Sequence, residues 1–295
     1  MRIFITFGLL LLLFTGCSSV RSISGHGFYK YDQSMALLTD IGPEKMESDF
    51  VKRRFTFKSV NGEIVYGVLS LPESQPMQPG YPVIILQHGL GDHKEVDYIQ
   101  AGTRQFLENG YAVVSIDLAN HGERVTEEFD FDFTGDTKYR TRQIITQSVF
   151  DLSRLVDFIE SIPELDEGRI GYYGISLGGI IGTIFCAVDQ RVKVPVIAIA
   201  GGNINLMFGM KALSGKVKDY LSVIDPINYV RDIAPRPFLM INAEQDEVIP
   251  PLMSKLLYKK ARNPKDIIWY PTKHRELPVE KVYGDGVEWF DRYLN

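Results

Sequence analysis

The sequence predicts an α/β protein: a doubly wound, mostly parallel sheet with helices on both faces and two lid-like insertions. Three observations carry this expectation. Short apolar runs recur along the chain, and several lack polar alternation, as strands covered on both faces do. Amphipathic helical patterns separate these runs. One strand-like run leads directly into Gly174-Ile175-Ser176-Leu177-Gly178, and a helix-like run leaves it, which suits a serine held on a tight strand-to-helix turn.

Taken in order, the expected strands begin with a hairpin, Arg53 to Lys58 and Glu63 to Leu71. Val83 to Gln87, Ala112 to Asp117, Arg169 to Tyr173, Val194 to Ala200, Phe238 to Asn242 and Ile267 to Tyr270 follow. Between Gln143 and Ile162, apolar residues at 145, 149, 152, 156 and 159 mark one stripe of a helix. Shorter helical patterns cover Leu177 to Val188, Pro251 to Ala261 and Val279 to Leu294. Two stretches break the rhythm, residues 123–142 and 203–225, each directly after an expected strand. Beyond the carboxyl ends of strands is where such folds bind ligands, so both are expected as lids or pocket walls.

The chain has 295 residues, 45% apolar and 23% charged, with a formal charge of −5, which fits an ordinary globular body. No basic run of five or more residues occurs, which argues against nucleic acid as a partner. With two cysteines, Cys17 and Cys186, the chain is not a disulfide scaffold.

Residues 1–16, MRIFITFGLLLLLFTG, have one cation, an apolar stretch of 12 residues and small residues before Cys17, the form of a secretory signal. That stretch falls short of the about 20 residues that span a bilayer. Residues 17–49 read as a tether and lead-in, and residues 50–295 as the folded body. The segment Leu13 to Ser19 resembles a bacterial lipoprotein signal, with Phe14 where Leu is usual. The resemblance implies a lipidated Cys17 and an exported protein anchored to a membrane by lipid alone, with its catalytic body in the periplasm or outside the cell.

Ser176 is the candidate nucleophile. Gly174 and Gly178 give its turn room, and the first N–H groups of the following helix point at its reaction centre. A serine is a weak nucleophile without a base and a carboxylate to orient that base. His274 is the only histidine after Ser176 and follows an expected strand. Asp246 follows another, with Glu244 and Glu247 as rivals for the role of acid. Histidines at 88, 93 and 121 raise the possibility of a metal, yet their segments lack metal-binding spacing, so neither metal nor cofactor is expected.

From about Phe50 to the C-terminus these motifs together resemble the α/β-hydrolase superfamily, in particular its dienelactone-hydrolase-like and prolyl-oligopeptidase-like esterases. The resemblance selects Asp246 as the acid, from its spacing before Val248-Ile249-Pro250. It also makes Gln87-His88-Gly89-Leu90-Gly91 an oxyanion loop, with the N–H groups of Leu90 and Leu177 as donors and His88 and Gly89 as support. Asp117-Leu118-Ala119-Asn120-His121-Gly122-Glu123-Arg124 is similar to a family loop that shapes the site, through Asp117 and His121.

The implied activity is hydrolysis of a small-molecule carboxylic ester through a Ser-His-Asp triad and an acyl-enzyme. A peptidase, thioesterase or acyltransferase of the same fold would share that intermediate. A surface-anchored binding protein on the same scaffold is the non-enzymatic alternative, and it would have no need of all three triad residues.

Overall fold

The computed structural model describes residues 25–47, 49–74, 79–128, 131–133, 135–206 and 219–295. Its first elements are a helical turn Gly25–Phe28 (α1), two short strands Asp40–Ile41 (β1) and Lys45–Met46 (β2), and the hairpin Phe50–Lys58 (β3) and Ile64–Pro72 (β4). The alternating units follow: Tyr81–Gln87 (β5), Asp97–Glu108 (α2), Ala112–Ile116 (β6), Lys138–Glu160 (α3), Leu165–Ile175 (β7), Leu177–Val188 (α4) and Val192–Ala198 (β8). Phe238–Ala243 (β9), Pro251–Lys260 (α5), Lys265–Tyr270 (β10) and Val279–Tyr293 (α6) complete them.

All these strands join one sheet, in the order β1-β3-β4-β6-β5-β7-β8-β9-β10, with β2 paired to β3. From β6 to β10 every neighbouring pair is parallel. The hairpin at the other end is antiparallel, as is its junction with β6. This is the α/β-hydrolase fold.

Strand periodicity explains the layers. Along β5, Val83 and Ile85 enter the core beneath α3 and α4, whereas Ile84 and Leu86 enter the core beneath α2 and α6. Both faces are thus covered, and the strand reads as a continuous apolar run without alternation. The chain runs from β5 to β6 on one side and later returns as β7 on the other. The carboxyl end of β5 is therefore a switch point, where crossover connections diverge and leave a crevice.

Three expectations change. Helix α2 was missed, although Ile99, Phe106 and Leu107 form its buried stripe and Gly110, at a φ of 82°, ends it in the left-handed manner glycine allows. Helix α3 begins at Lys138, ahead of the expected Gln143, so the first insertion ends inside it.

The folded body also starts before Phe50. Tyr29 is 4% exposed within the larger core cluster, and its hydroxyl donates to Val223 O at 2.6 Å. The Arg154 guanidinium donates to Met35 O at 2.7 Å. The segment around Tyr29 lacks periodicity because it is held by a few aromatic and polar anchors, with no apolar stripe to reveal it. Cys17 and the expected signal lie outside the described residues, as do residues 207–218 of the second insertion. Among the described residues no helix is long and apolar enough to cross a membrane.

Candidate active site

Ser176 sits between β7 and α4 at φ 53° and ψ −113°, a conformation that costs a non-glycine residue about 1–3 kcal/mol. Its neighbours make room for it. A Cβ on Gly178 would lie 2.6 Å from His88 O, and one on Gly174 would lie 2.5 Å from Gly178 O. The turn is therefore pressed against the β5 loop at a distance that only glycine permits. The strain is held in place by Ser176 N–H, which donates to Ala198 O at 2.9 Å, and by Ser176 O, which accepts Ile180 N–H at 2.9 Å.

The Ser176 Oγ lies 3.0 Å from His274 Nε2, and His274 Nδ1 lies 2.7 Å from Asp246 Oδ2. The His274 and Asp246 side chains are 6% and 4% exposed. With Nδ1 donating to the carboxylate, Nε2 is left to accept the serine proton. The other Asp246 oxygen, Oδ1, accepts the N–H groups of Val248 at 2.9 Å and Ile249 at 2.7 Å, so the carboxylate cannot swing away. Of the rival acids, Glu247 instead accepts the His274 backbone N–H at 3.3 Å, and Glu244 is exposed.

The loop after β5 closes against this turn. A Cβ on Gly89 would lie 3.4 Å from Ser176 Cβ. Gly89 N–H donates to the Tyr98 hydroxyl at 2.9 Å, and that hydroxyl donates to Asp92 at 2.7 Å. Leu90 lies on the rim of the same cavity as Ser176 and His274. Leu177 opens α4, where backbone N–H groups have no partner within the helix.

His88 is fully buried behind the loop, where Nδ1 meets Gly89 O at 2.8 Å and Nε2 accepts Leu118 N–H at 3.2 Å. Burial pushes its imidazole down to about 3. His121, packed beside it, meets Ala119 O at 2.9 Å and is lowered by burial too. The His88 ring thus ties one loop's backbone to the other's. Asp117 links the two loops, accepting Lys94 N–H at 2.9 Å, Lys94 Nζ at 2.6 Å and Glu123 N–H at 3.0 Å. Burial opposes its ionisation, but these donors outweigh burial and hold the carboxyl below its usual range. Arg124 joins Asp117 O to the buried Asp151 carboxylate at 3.0 and 2.7 Å.

A cavity of about 490 Å³ opens beside Ser176. Its walls come from β7, the Gly89 loop, the start of α2, Ala198 at the end of β8 with Ile199 after it, Val248 after β9, and the segment from His274 into α6. No described residue of the two insertions lines it. Their described parts pack on each other instead: Tyr220 stands edge-on to Tyr139 and donates to Lys138 O. The wall residues Tyr98, Arg275 and Tyr283 were missed in the sequence. The only signal for the first was the amphipathic stripe of α2.

The acetyl xylan esterase family model matches residues 33–200, a span that includes the Gly89 loop, Asp117 and Ser176. The chain belongs to the acetyl xylan esterase family. Acetyl esterase Axe7A of Xylanibacter ruminicola is 21% identical over 247 residues, covering 74% of this chain and 54% of that protein. Dipeptidyl peptidase 8 of Homo sapiens is 32% identical over 160 residues, covering 52% of this chain and 16% of that protein. The chain thus spans about half or less of the curated relatives it matches. Among solved structures, acetyl xylan esterase from Paenibacillus sp. R4 shares the fold with a TM-score of 0.73 at 19% identity, over 88% of this chain and 90% of that one.

Proposed function

We propose that the protein hydrolyses small-molecule carboxylic esters with Ser176 as nucleophile, His274 as general base and acid, and Asp246 as the carboxylate that orients and stabilises the imidazolium. The observation that carries this reading is the unbroken line from Ser176 Oγ through His274 to Asp246, at 3.0 and 2.7 Å, starting from a strained turn. Ser176 Oγ attacks the ester carbonyl as its proton passes to His274 Nε2. The tetrahedral oxyanion is held by the N–H groups of Leu177 and Leu90, each donor worth about 3–4 kcal/mol in such sites. The intermediate collapses, His274 gives its proton to the departing alkoxide, and the alcohol leaves an acyl-serine. Water, deprotonated by His274, then releases the acid and restores the serine.

Acetyl esters are the first substrates to try, since the family and Axe7A carry that activity in their names. The test is fluorophosphonate labelling alongside hydrolysis of p-nitrophenyl acetate, comparing the protein with Ser176→Ala. Labelling and turnover that are both lost in the variant support the reading. Turnover that survives Ser176→Ala overturns it. Cleavage of a dipeptidyl p-nitroanilide in preference to the ester would move the assignment to a peptidase, the reading that the dipeptidyl peptidase match favours.

The N-terminal sequence supports an exported protein held on a membrane by lipid at Cys17. Metabolic labelling with a fatty acid should mark the full chain and not Cys17→Ser. Equal labelling of both would overturn the anchor.

A further inference from the structure

The cavity beside Ser176 holds far more than an acetyl methyl. At about 490 Å³ it falls within the roughly 300–1,000 Å³ of sites that enclose whole small molecules. Three tyrosines stand around it, and their hydroxyls are already committed to the protein. Tyr98 donates to Asp92 at 2.7 Å, Tyr173 to Val282 O at 2.9 Å and Tyr283 to Tyr98 O at 2.9 Å. Tyr173 and Tyr283 are 0% and 1% exposed, so they back the wall, and the ring a ligand meets is that of the half-buried Tyr98.

The aliphatic wall reinforces this. Ile175, Ile199 and Leu277 line the same space. Ile199 is a β-branched residue at a φ of 40°, an outlier for such a side chain. It is pinned there by its N–H on Ile241 O at 2.7 Å. The charged lining residues Asp97 and Arg275 are exposed, and the half-buried Asp92 has one carboxylate oxygen engaged by the Tyr98 hydroxyl, so most of the surface left for a ligand is aliphatic.

We infer that this cavity receives an apolar arm of the ester larger than an acetyl group, which makes the protein an esterase for aliphatic esters larger than methyl acetate. The inference rests on the proposed role of Ser176. In a cavity of this kind each added methylene contributes about a fourfold gain in kcat/KM, the equivalent of its transfer from water, until the space is filled.

Two ester series test it on the full chain. One comprises methyl esters of acetic, butyric, hexanoic and octanoic acid, and the other comprises acetates of methanol, butanol, hexanol and octanol. The expected result is a climb of about fourfold per methylene in at least one series. Val279→Trp, on the cavity rim, should shift the maximum to shorter arms. If turnover depends on Ser176 but both series favour their smallest member, the inference is overturned while the nucleophile assignment stands. A profile left unmoved by Val279→Trp overturns it equally. If no ester is turned over and fluorophosphonate leaves Ser176 unlabelled, the reading of the site fails and this inference fails with it.

Discussion

The Tyr98 hydroxyl accepts the backbone N–H of Gly89 at 2.9 Å, on the loop that borders Ser176. The Gly89 donor is thereby committed, and the next N–H along the loop is that of Leu90, the donor proposed for the oxyanion. Because the same hydroxyl donates to Asp92, it fixes the loop from both ends of a short arc. Tyr98→Phe leaves Gly89 N–H without its partner, at a cost of about 1–3 kcal/mol. The expected outcome is a fall in kcat of about tenfold with KM changed less than about twofold. Steady-state kinetics on a short ester checks it, and an equal loss confined to KM would contradict a positioning role.

The strained turn separates stability from activity. Ser176→Gly relieves a φ of 53° that glycine adopts freely, so this variant should lose activity and gain about 1 kcal/mol of stability. Ser176→Ala keeps the strain and should unfold near the parent. Urea unfolding of the three proteins measures the difference.

Asp246→Asn keeps the shape of the acid and removes its charge. The Asn amide can turn its N–H₂ toward His274 Nδ1, which favours the tautomer whose Nε2 cannot take the serine proton. A loss of about 10⁴-fold in kcat is expected, with the fold retained because Val248 and Ile249 N–H can still find an oxygen. Turnover near that of the parent would reassign the acid.

His88 and His121 give the stability a pH dependence. Both are lowered by burial, His88 to about 3, whereas histidine in an unfolded chain titrates near about 6.5. Below that pH the unfolded chain binds protons that the folded chain refuses. Their contribution is therefore complete above about pH 6.5 and is lost as the pH falls toward the folded values, with a slope approaching about 1.4 kcal/mol per pH unit for each proton. Urea midpoints between about pH 4.5 and 6.5 should show it, and His88→Gln should flatten the curve. A parent curve that is already flat there would contradict neutral burial.

Most of the parallel sheet was legible because strands covered on both faces need unbroken apolar runs. Val83 to Gln87 and Ala112 to Asp117 stand out for that reason alone. Ser176 was legible because its turn needs Gly174 and Gly178, and local constraints of that kind appear in the residues themselves. Less was legible where anchoring depends on isolated side chains. Tyr29 joins the body through ring packing on Phe150 and Tyr229 and one hydrogen bond to Val223, and Met35 through its carbonyl on Arg154, contacts with distant residues that leave no periodic trace. The cavity wall escaped for a related reason: Tyr98, Tyr173 and Tyr283 come from three elements, and no local pattern says that they meet.

By itself, then, the sequence determined the alternating architecture, the strained serine and a short roster of partners for it, because each is encoded within a few residues by periodicity or by the absence of bulk. Which partners meet was decided only by the tertiary structure. Asp246, Glu244 and Glu247 lie within a few positions of one another, and it is the path of the loop after β9 that turns one of them toward His274. The cavity, likewise, follows from how α2 and α6 pack beside β7, and the two insertions expected to wall it contribute none of its lining among their described residues. Distance in space between residues far apart in the chain is set by the sum of all the packing, which no single segment carries.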